Sequence, residues 1–384
     1  MTVMNNQIVL RKSGSANVNT VRTHNESLVL RMIRKYGELT KADITKLTGL
    51  SPNASSVIFK HLESENLLVK GDKIKGRVGQ PSCPYRINPD SRKSTALHIG
   101  RRSSELAAVN FVGEIIWSKK IYHQYPTPTI ILNFLREEFP KLKAQIKDVE
   151  VPKLYIAMPF ELWNWGDDFG ASSQELQKWK NFDLKAHIRN LGDFTHILIE
   201  NDGTSACRAE YIFAPFSPEN DWIYFYIGTF IGGGIVLDGN VYTGTRGNAG
   251  GFGPMRVPNQ EGGNRLVDHA SLIILERMLE KSGIDPLCIH DKDFNWDQIE
   301  TITKEWTRRV GENLAYAILS SLSLLDFEKV VIEGAFPEKV KALIVEEVET
   351  QLNSGDLQGV HIPTISPGFV GRAARAKGAI TLDL

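Results

Sequence analysis

The sequence has little cysteine and no long apolar run. Its 384 residues include three cysteines, Cys83, Cys207 and Cys288, whose odd number and wide spacing predict neither a disulfide framework nor a metal site. No apolar run approaches the ~20 residues needed to cross a bilayer, and the N-terminus lacks the apolar segment of a secretory signal. We therefore expect a cytoplasmic protein without a membrane segment, a bound metal or another cofactor.

The net charge of the whole chain is zero, but the charges are unevenly distributed along it. Residues 1–93 carry 16 Lys or Arg against 7 Asp or Glu, and the rest carry 29 against 38, so a charge of +9 is followed by −9. A basic N-terminal segment before an acidic body indicates that the first segment binds a polyanion. At 42% hydrophobic and 23% charged residues, the composition is that of a globular protein with two or three domains.

The basic segment has the pattern of three short helices. Apolar residues at i, i+3, i+4 and i+7 predict a helix over residues 24–36 that ends at Gly37. Thr40 and Ser51 are suited to cap two further helices, which meet at a turn around Gly49. Two helices joined by a glycine turn predict a helix-turn-helix unit.

The third helix of this unit is predicted to present small polar groups to DNA. Its inward side is predicted to be apolar: Ala54, Val57, Ile58 and Leu62. Its outward side is predicted to hold polar groups and one ring: Asn53, Ser55, Ser56, Phe59 and Lys60. Small polar side chains reach base edges and phosphates in a major groove.

A basic wing is predicted after the third helix. Two short strands around Gly71 would form it, and Arg77 lies in a glycine-containing run from which it can enter a minor groove. We therefore predict DNA contacts at five positions: Asn53, Ser55, Ser56, Lys60 and Arg77. Residues 1–88 are predicted to form the winged helix-turn-helix domain, and residues 89–94 a linker. The alternative is a winged helix that contacts protein.

Residues 95–384 have the pattern of two similar α/β lobes. Three apolar strands, a helix over residues 129–147 and a strand at KLYIAMPF follow in the order of a ribonuclease-H-like lobe. A second set of strands begins at WIYFYIG and turns tightly at Asp238-Gly239. Two such lobes predict an actin-like body with a cleft between them.

A glycine-rich stretch, Tyr226–Gly253, follows the triplet Glu200-Asn201-Asp202. Together with GTFIGGGIVLDG at 228–239 and GTRGNAGGFG at 244–253, the triplet resembles the ROK family, which groups bacterial sugar kinases with sugar-responsive transcriptional repressors. The N-terminal helices and the GRVGQP segment resemble the repressor branch, since the kinases lack that domain. The resemblance implies a sugar in the cleft and a homodimer, or a tetramer, in which the sugar reorients the DNA-binding domains.

The resemblance also implies the ligand contacts. Asp202 matches the family's catalytic Asp and Asn201 its sugar-binding neighbour, although Asp202 is also suited to be a helix N-cap. Asp268 lies near the place of a sugar-binding Glu; its alternative is a first-turn helix residue favoured by the helix dipole. We predict ligand contacts at Asn201, Asp202, Gly250 and Asp268. For three tryptophans two roles remain open, packing on the face of a sugar or packing in the core: Trp163, Trp165 and Trp179.

Two departures from the family pattern argue against catalysis. HIGRR at residues 98–102 stands where the kinases have an Asp and glycines, so no carboxylate remains there to hold metal-bound water. Gly251 and Pro254 stand where the resemblance implies a sugar-binding Glu and a zinc-binding His, and the family's cysteine cluster is missing. His269 is therefore expected at the surface or at an interface, and a surface role is favoured for Arg101 and Arg102 over contact with an anionic ligand.

The sequence as a whole predicts a DNA-binding transcriptional regulator that is not an enzyme. We expect a repressor of carbohydrate metabolism genes, with double-stranded operator DNA and a sugar or sugar derivative as its partners. One alternative is a sugar kinase of the family fused to a DNA-binding domain. The other is a regulator that has lost the sensing of free sugar.

Overall fold

The structure is a computed structural model that describes residues 18–72, 83–146, 153–165, 173–191, 194, 196–215, 217–355 and 357–383. These residues form a small N-terminal unit of helices and a larger body of two α/β lobes. No helix among them is long and apolar enough to cross a membrane.

The N-terminal unit consists of three helices and a small antiparallel sheet of order β1-β3-β2. Its elements are α1 (Val18–Tyr36), β1 (Glu38–Leu39), α2 (Lys41–Thr48), α3 (Pro52–Ser64), β2 (Leu68–Lys70) and β3 (Tyr85–Ile87). Helix α1 begins six residues before the predicted start and ends before Gly37, as predicted. The unit has an apolar core of its own, which Phe111 of the body joins.

Caps define where the second and third helices begin. The Thr40 hydroxyl accepts from Asp43 N, and the Asp43 carboxylate accepts from Thr40 N at 3.0 Å, which makes a reciprocal capping box. The Ser51 hydroxyl caps α3 by accepting from Ala54 N at 3.2 Å. Between the two helices Gly49 has φ +71°, a conformation that glycine adopts without strain. The predicted caps and turn are confirmed.

The predicted orientation of α3 is wrong by about one residue. The buried side chains are Ser55, Ile58, Phe59 and Leu62, which again follow i, i+3, i+4 and i+7. Phe59 packs edge-on against Tyr85 with ring centroids 4.7 Å apart, and the fully buried Ser55 hydroxyl donates to Lys41 O at 3.3 Å. Val57 is instead 63% exposed. Burying a phenyl ring removes more apolar surface from water than burying a valine, which favours the observed rotation.

The first lobe is a five-stranded sheet of order β6-β5-β4-β7-β8 with helices on it. Its elements are β4 (Lys93–Ile99), β5 (Ser103–Asn110), β6 (Ile115–Tyr122), α4 (Pro128–Gln145), β7 (Lys153–Met158), α5 (Ser173–Gln177), α6 (Leu184–Arg189), β8 (His196–Asn201) and α7 (Asp202–Phe213). Strand β4 begins at Lys93, inside the predicted linker, and Phe111 N donates to Pro89 O at 3.1 Å. The predicted linker therefore runs against the body.

The second lobe repeats this topology with the order β11-β10-β9-β14-β15. Its elements are β9 (Trp222–Ile227), β10 (Ile231–Leu237), β11 (Asn240–Tyr242), the hairpin β12 (Arg256–Gln260) and β13 (Gly263–Arg265), α8 (Leu272–Lys281), α9 (Glu300–Leu325), β14 (Lys329–Gly334), α10 (Glu338–Ser354) and β15 (Thr364–Pro367). The last helix, α11 (Ala374–Ala379), returns to the first lobe and packs on β4, β5 and β7. In each lobe the first two pairings are antiparallel and the last two parallel. The prediction of two similar lobes is confirmed.

The glycine-rich stretch lets helix α7 lie directly on the second sheet. A Cβ on Gly203 would lie 2.6 Å from the backbone of Gly233, and one on Gly234 would lie 2.3 Å from the Cβ of Cys207. On another side, a Cβ on Gly378 of α11 would overlap Ser205 of α7. Helix α7, which ends the first lobe, is thus held tightly between the second sheet and α11.

Candidate functional site

A cavity of about 350 Å³ lies between the lobes, where β8 ends and α7 begins. This volume is in the range of small-molecule sites. Aromatic rings form part of the wall: Phe160, Trp165, Tyr226 and Phe230. Charged groups of both signs also line it: Arg101, Glu161, Asp202, Arg265 and Arg375. Rings beside directed polar groups are suited to a ligand with a flat apolar face and a polar edge.

Asn201 and Asp202 have different roles at the start of α7. Asn201 Oδ1 accepts from Gly203 N at 2.9 Å and from Thr204 N at 3.2 Å, so Asn201 is the N-cap. Asp202 is the first residue of the helix, and its role as an N-cap, the alternative in the sequence, is excluded. Both residues line the cavity, and the Asp202 carboxylate is not used to cap the helix.

The carboxylate of Asp202 is held ionised by its neighbours. Its Oδ2 lies 3.4 Å from Arg375 Nη1 and 3.9 Å from His98 Nε2. Burial raises the pKa of Asp202, but His98 and the cations of Arg375 and Arg101 lower it, to a net value of about 2. Burial and the Arg375 charge lower the pKa of His98 to about 4. At neutral pH an anionic carboxylate therefore stands beside a neutral imidazole.

Arg101 is part of the cavity wall. Its guanidinium carbon lies 4.4 Å from the centre of the Phe230 ring and 5.9 Å from that of Trp165. Arg102 instead joins the lobes, because Nη2 lies 2.8 Å from Oε2 of Glu276 in α8. The surface role favoured for Arg101 and Arg102 is therefore wrong.

One of the three tryptophans lines the cavity. Trp165 lies there, with its ring centre 5.5 Å from that of Phe230. Trp179 is buried in the core and donates from Nε1 to Pro126 O at 2.8 Å, and Trp163 packs against the same core. Two of the three tryptophans thus belong to the core.

Gly250 and Asp268 are not among the described residues that line the cavity. Gly250 has φ +77°, and a Cβ on it would lie 2.5 Å from Gly234 Cα, so it brings two backbones together. Asp268 lies in the first turn of a short 3-10 helix, Leu266–Asp268, which agrees with the alternative of a first-turn helix residue, and its carboxylate accepts from Arg265 N at 3.0 Å. Its carboxylate accepts from Arg265 Nη2 at 2.7 Å and Nε at 3.1 Å. Asp268 thereby positions Arg265, which does line the cavity.

His269 is fully buried within the chain, so the expectation of a surface or interface histidine is wrong. Arg309 Nε donates to Nδ1 at 3.0 Å, which requires the proton on Nε2, and Nε2 donates to Gly263 O at 3.1 Å. Because Nδ1 accepts from Arg309, the ring is neutral. Burial lowers the pKa of His269, the bond to Gly263 opposes this, and the Arg309 charge lowers the pKa further. Arg309 Nη2 also donates to Glu261 O at 2.7 Å. These bonds fix the β12–β13 hairpin.

Within the described ranges, no group of three or more His, Cys, Asp and Glu side chains is placed to hold a metal ion.

The N-terminal unit presents a second candidate surface on α3. The exposed side chains are Asn53, Ser56, Val57 and Lys60, one stripe at i, i+3, i+4 and i+7. Ser55, predicted to contact DNA, lies on the opposite, buried side. Arg77 lies outside the described residues.

Several cavity residues were missed in the sequence. Arg375 is 173 positions from Asp202, and Arg265 is oriented by an ion pair that no periodicity reveals. Tyr226 and Phe230 lie in the glycine-rich stretch, but their strand pattern is that of core residues. A run of small residues around two arginines, GRAARAKG, was the available signal for Arg375.

Two lobes of this shared topology around a polar cleft define an actin-like α/β protein. The sequence model of the ROK family matches residues 94–382, and the chain belongs to this family.

Relatives with curated names include repressors. The chain is 22% identical over 337 residues to a xylose repressor of Caldicellulosiruptor bescii, covering 80% of this chain and 82% of that protein. It is 21% identical over 379 residues to the DNA-binding transcriptional dual regulator NagC of Escherichia coli, covering 93% and 92%. These similarities extend beyond the matched family domain.

Solved structures share the fold. A ROK family transcriptional regulator, described as a homologue of the Escherichia coli MLC protein, has a TM-score of 0.64 at 19% identity and covers 94% of this chain and 95% of its own. A ROK glucokinase of Streptomyces griseus, in complex with glucose and AMPPNP, has a TM-score of 0.58 at 18% identity and covers 76% and 98%.

Proposed function

We propose that this protein is a DNA-binding transcriptional repressor of carbohydrate metabolism genes whose DNA affinity is set by a sugar or sugar derivative in the interlobe cavity. Residues 1–88 are the winged helix-turn-helix domain, and residues 95–384 bind the ligand and form a homodimer. The observation that carries this proposal is the path of helix α7, which begins in the cavity and ends against α1.

Helix α7 has the length and packing of a rigid link. Its 12 residues span about 18 Å. Asp202 lies in the cavity at one end, and near the other end the Tyr211 hydroxyl accepts from Arg31 Nη1 at 2.5 Å. The close contacts of α7 with β10 and α11 at Gly203, Gly234 and Gly378 hold the helix tightly along its length. A ligand that pulls on Asp202 therefore acts on α1.

A buried cation completes the contact of α7 with the N-terminal unit. Arg34 Nη1 donates to Phe111 O at 2.5 Å, and its guanidinium carbon lies 5.0 Å from the Phe111 ring centre and 5.5 Å from that of Phe213. Burial lowers the pKa of Arg34 to about 10. A ligand that favours one arrangement of this contact changes the population of DNA-binding orientations, as allosteric coupling requires.

The DNA side of the proposal uses the exposed stripe of α3. Asn53, Ser56 and Lys60 supply polar and cationic groups, and Val57 supplies an apolar contact for a thymine methyl group. Arg77 is proposed to reach a minor groove. The charge of +9 on residues 1–93 supports binding to a polyanion. Two such domains in a dimer would match two half-sites of an operator.

The comparisons support the regulatory branch. The named relatives are repressors or a transcriptional regulator, and the regulator structure covers 94% of this chain. The glucokinase covers 76% of this chain, a share close to that of the matched family domain alone.

The environment of Asp202 favours sensing over catalysis. A general base works best when its pKa is near the operating pH, whereas the pKa of Asp202 is about 2 and its oxygen faces Arg375 at 3.4 Å. The same charge is suited to accept hydrogen bonds from sugar hydroxyls. A kinase would release ADP from ATP with some sugar, and we expect no such turnover.

Purified protein should be used to select fragments from a random double-stranded DNA library. The selected fragment should bind with an affinity that falls steeply with salt, and a panel of sugars and sugar derivatives should then be tested for a change in that affinity. A protein that selects no sequence, or that turns over ATP with a sugar, would contradict the proposal.

A further inference from the structure

A second, smaller cavity of about 50 Å³ lies beside the first at the lobe interface. Its volume has room for a few water molecules, which matches an oxyanion group and not a sugar ring. The first lobe contributes Arg101, Arg102 and Lys120, and the segment at and before α11 contributes Arg372 and Arg375. The second lobe closes the cavity with Thr229, Leu272, His290 and Ala335. None of the described residues that line it is Asp or Glu.

The positive charge of this cavity is only partly neutralised from outside it. Arg102 is paired with Glu276, and Arg375 with Asp202. Lys120 and Arg372 make no side-chain hydrogen bond or ion pair with the described residues; Lys120 lies over the Tyr122 ring at 4.9 Å. The buried Arg375 Nε also lacks an acceptor within the described chain. Donors are thus left for a bound anion.

Charges of the same sign held this close repel one another. The Lys120 side chain is exposed at the rim of the cavity, yet partial desolvation lowers the pKa of its ammonium group; Glu105 opposes this, and the Arg375 and Arg372 charges lower the pKa further. A bound anion relieves such repulsion, and guanidinium forks are well matched to phosphate oxygens.

The two cavities share Arg101 and Arg375. We propose that the small cavity binds the phosphate group of a phosphorylated sugar whose hydroxyls occupy the larger cavity. This inference rests on the proposed function and assigns its ligand class. Because residues of both lobes line the small cavity, a bound phosphate links them and favours the arrangement of the lobes in which these residues meet.

The anion site can be tested first with inorganic phosphate alone, at constant ionic strength and against chloride. Phosphate should raise the melting temperature of the wild type in a saturable manner. The Kd for phosphate should weaken tenfold or more in Arg372→Gln and in Lys120→Gln. Lys119→Gln is the matched control, because Lys119 and Lys120 are both exposed but Lys119 lies on the opposite face of β6 and does not line the cavity, so its Kd should equal that of the wild type.

Calorimetric titration with sugar phosphates, their parent sugars and the corresponding sugar acids identifies which class of molecule carries the bound anion. One sugar phosphate should bind at least tenfold tighter than its parent sugar, and the ratio of the two Kd values should approach one in Arg372→Gln. Melting temperatures of the free variants near the wild-type value show that they fold.

Three results would overturn the inference: no saturable effect of phosphate, equal weakening in Lys119→Gln, or binding of free phosphate without any preference for a phosphorylated sugar. If a neutral sugar releases operator DNA while these results are found, the proposed function stands and the anion site fails. If no operator is selected at all, the proposed function fails.

Discussion

Replacing Arg34 with methionine removes the cation between α1 and α7 while an unbranched apolar side chain remains. A hydrogen bond from a charged donor contributes about 1.5–3 kcal/mol, and each of the two ring contacts contributes about 0.5–2 kcal/mol. The lowering of the Arg34 pKa from 12.5 to about 10 corresponds to a burial cost of about 3 kcal/mol. The net contribution to the contact is therefore about 1 kcal/mol, which limits the loss of ligand-to-DNA coupling to about fivefold.

The coupling is measured as the ratio of operator Kd values with and without saturating ligand, by fluorescence anisotropy. In Arg34→Met this ratio should move toward one by up to about fivefold. Arg86→Met is the control, because Arg86 is an exposed cation of the same unit on β3, paired only weakly with Glu38 at 3.9 Å. It should leave the ratio unchanged even if the absolute affinity shifts. An Arg34→Met protein with the wild-type ratio would refute the role of this contact.

Three further perturbations test the site, the DNA surface and a buried histidine. Asp202→Asn should weaken sugar binding by 10- to 100-fold in calorimetric titration, since charge-assisted hydrogen bonds worth about 1.5–3 kcal/mol are lost; Asp293→Asn, at an exposed position, should bind as the wild type does. Lys60→Gln should reduce the salt slope of DNA binding by about 0.9, whereas Ser55→Ala should leave that slope unchanged, because its hydroxyl is buried against Lys41 O. His98 has its pKa lowered from 6.5 to about 4, so the unfolded chain binds the proton more tightly and stability present above pH 6.5 is lost as the pH falls toward 4. Between pH 7 and 5 the contribution of His98 to this loss is roughly 2 kcal/mol. When unfolding in urea is followed at both pH values, the loss should be smaller by that amount in His98→Gln than in the wild type, while His123, whose pKa burial also lowers to about 4, contributes to both proteins.

Local patterns in the sequence were sufficient to predict the N-terminal helices and the presence of two α/β lobes. The caps at Thr40 and Ser51, the turn at Asp238-Gly239 and the succession of the first strands in each lobe follow from spacing and residue type, because each depends on neighbours in the chain. The face of α3 did not follow, since two apolar stripes one residue apart were compatible with the sequence. Packing of Phe59 on Tyr85, a contact between distant residues, decides between them.

The sequence predicted where the cavity lies, but only some of the residues that line it. Asn201 and Asp202 line it, and the resemblance had pointed to both. Arg375, Arg101 and Arg265 were missed or assigned elsewhere, because their positions depend on how the lobes meet and on partners far along the chain. The same holds for His269, whose bonds to Gly263 and Arg309 keep it inside the protein.

The most direct test of the account is a titration of selected operator DNA with the wild type and with Asp202→Asn, each with and without the ligand identified for the cavity. The account predicts that the ligand changes the operator Kd of the wild type, while Asp202→Asn binds DNA with the unliganded wild-type affinity and does not respond at the same ligand concentration. An equal response in both proteins, or no operator binding by the wild type, would contradict it.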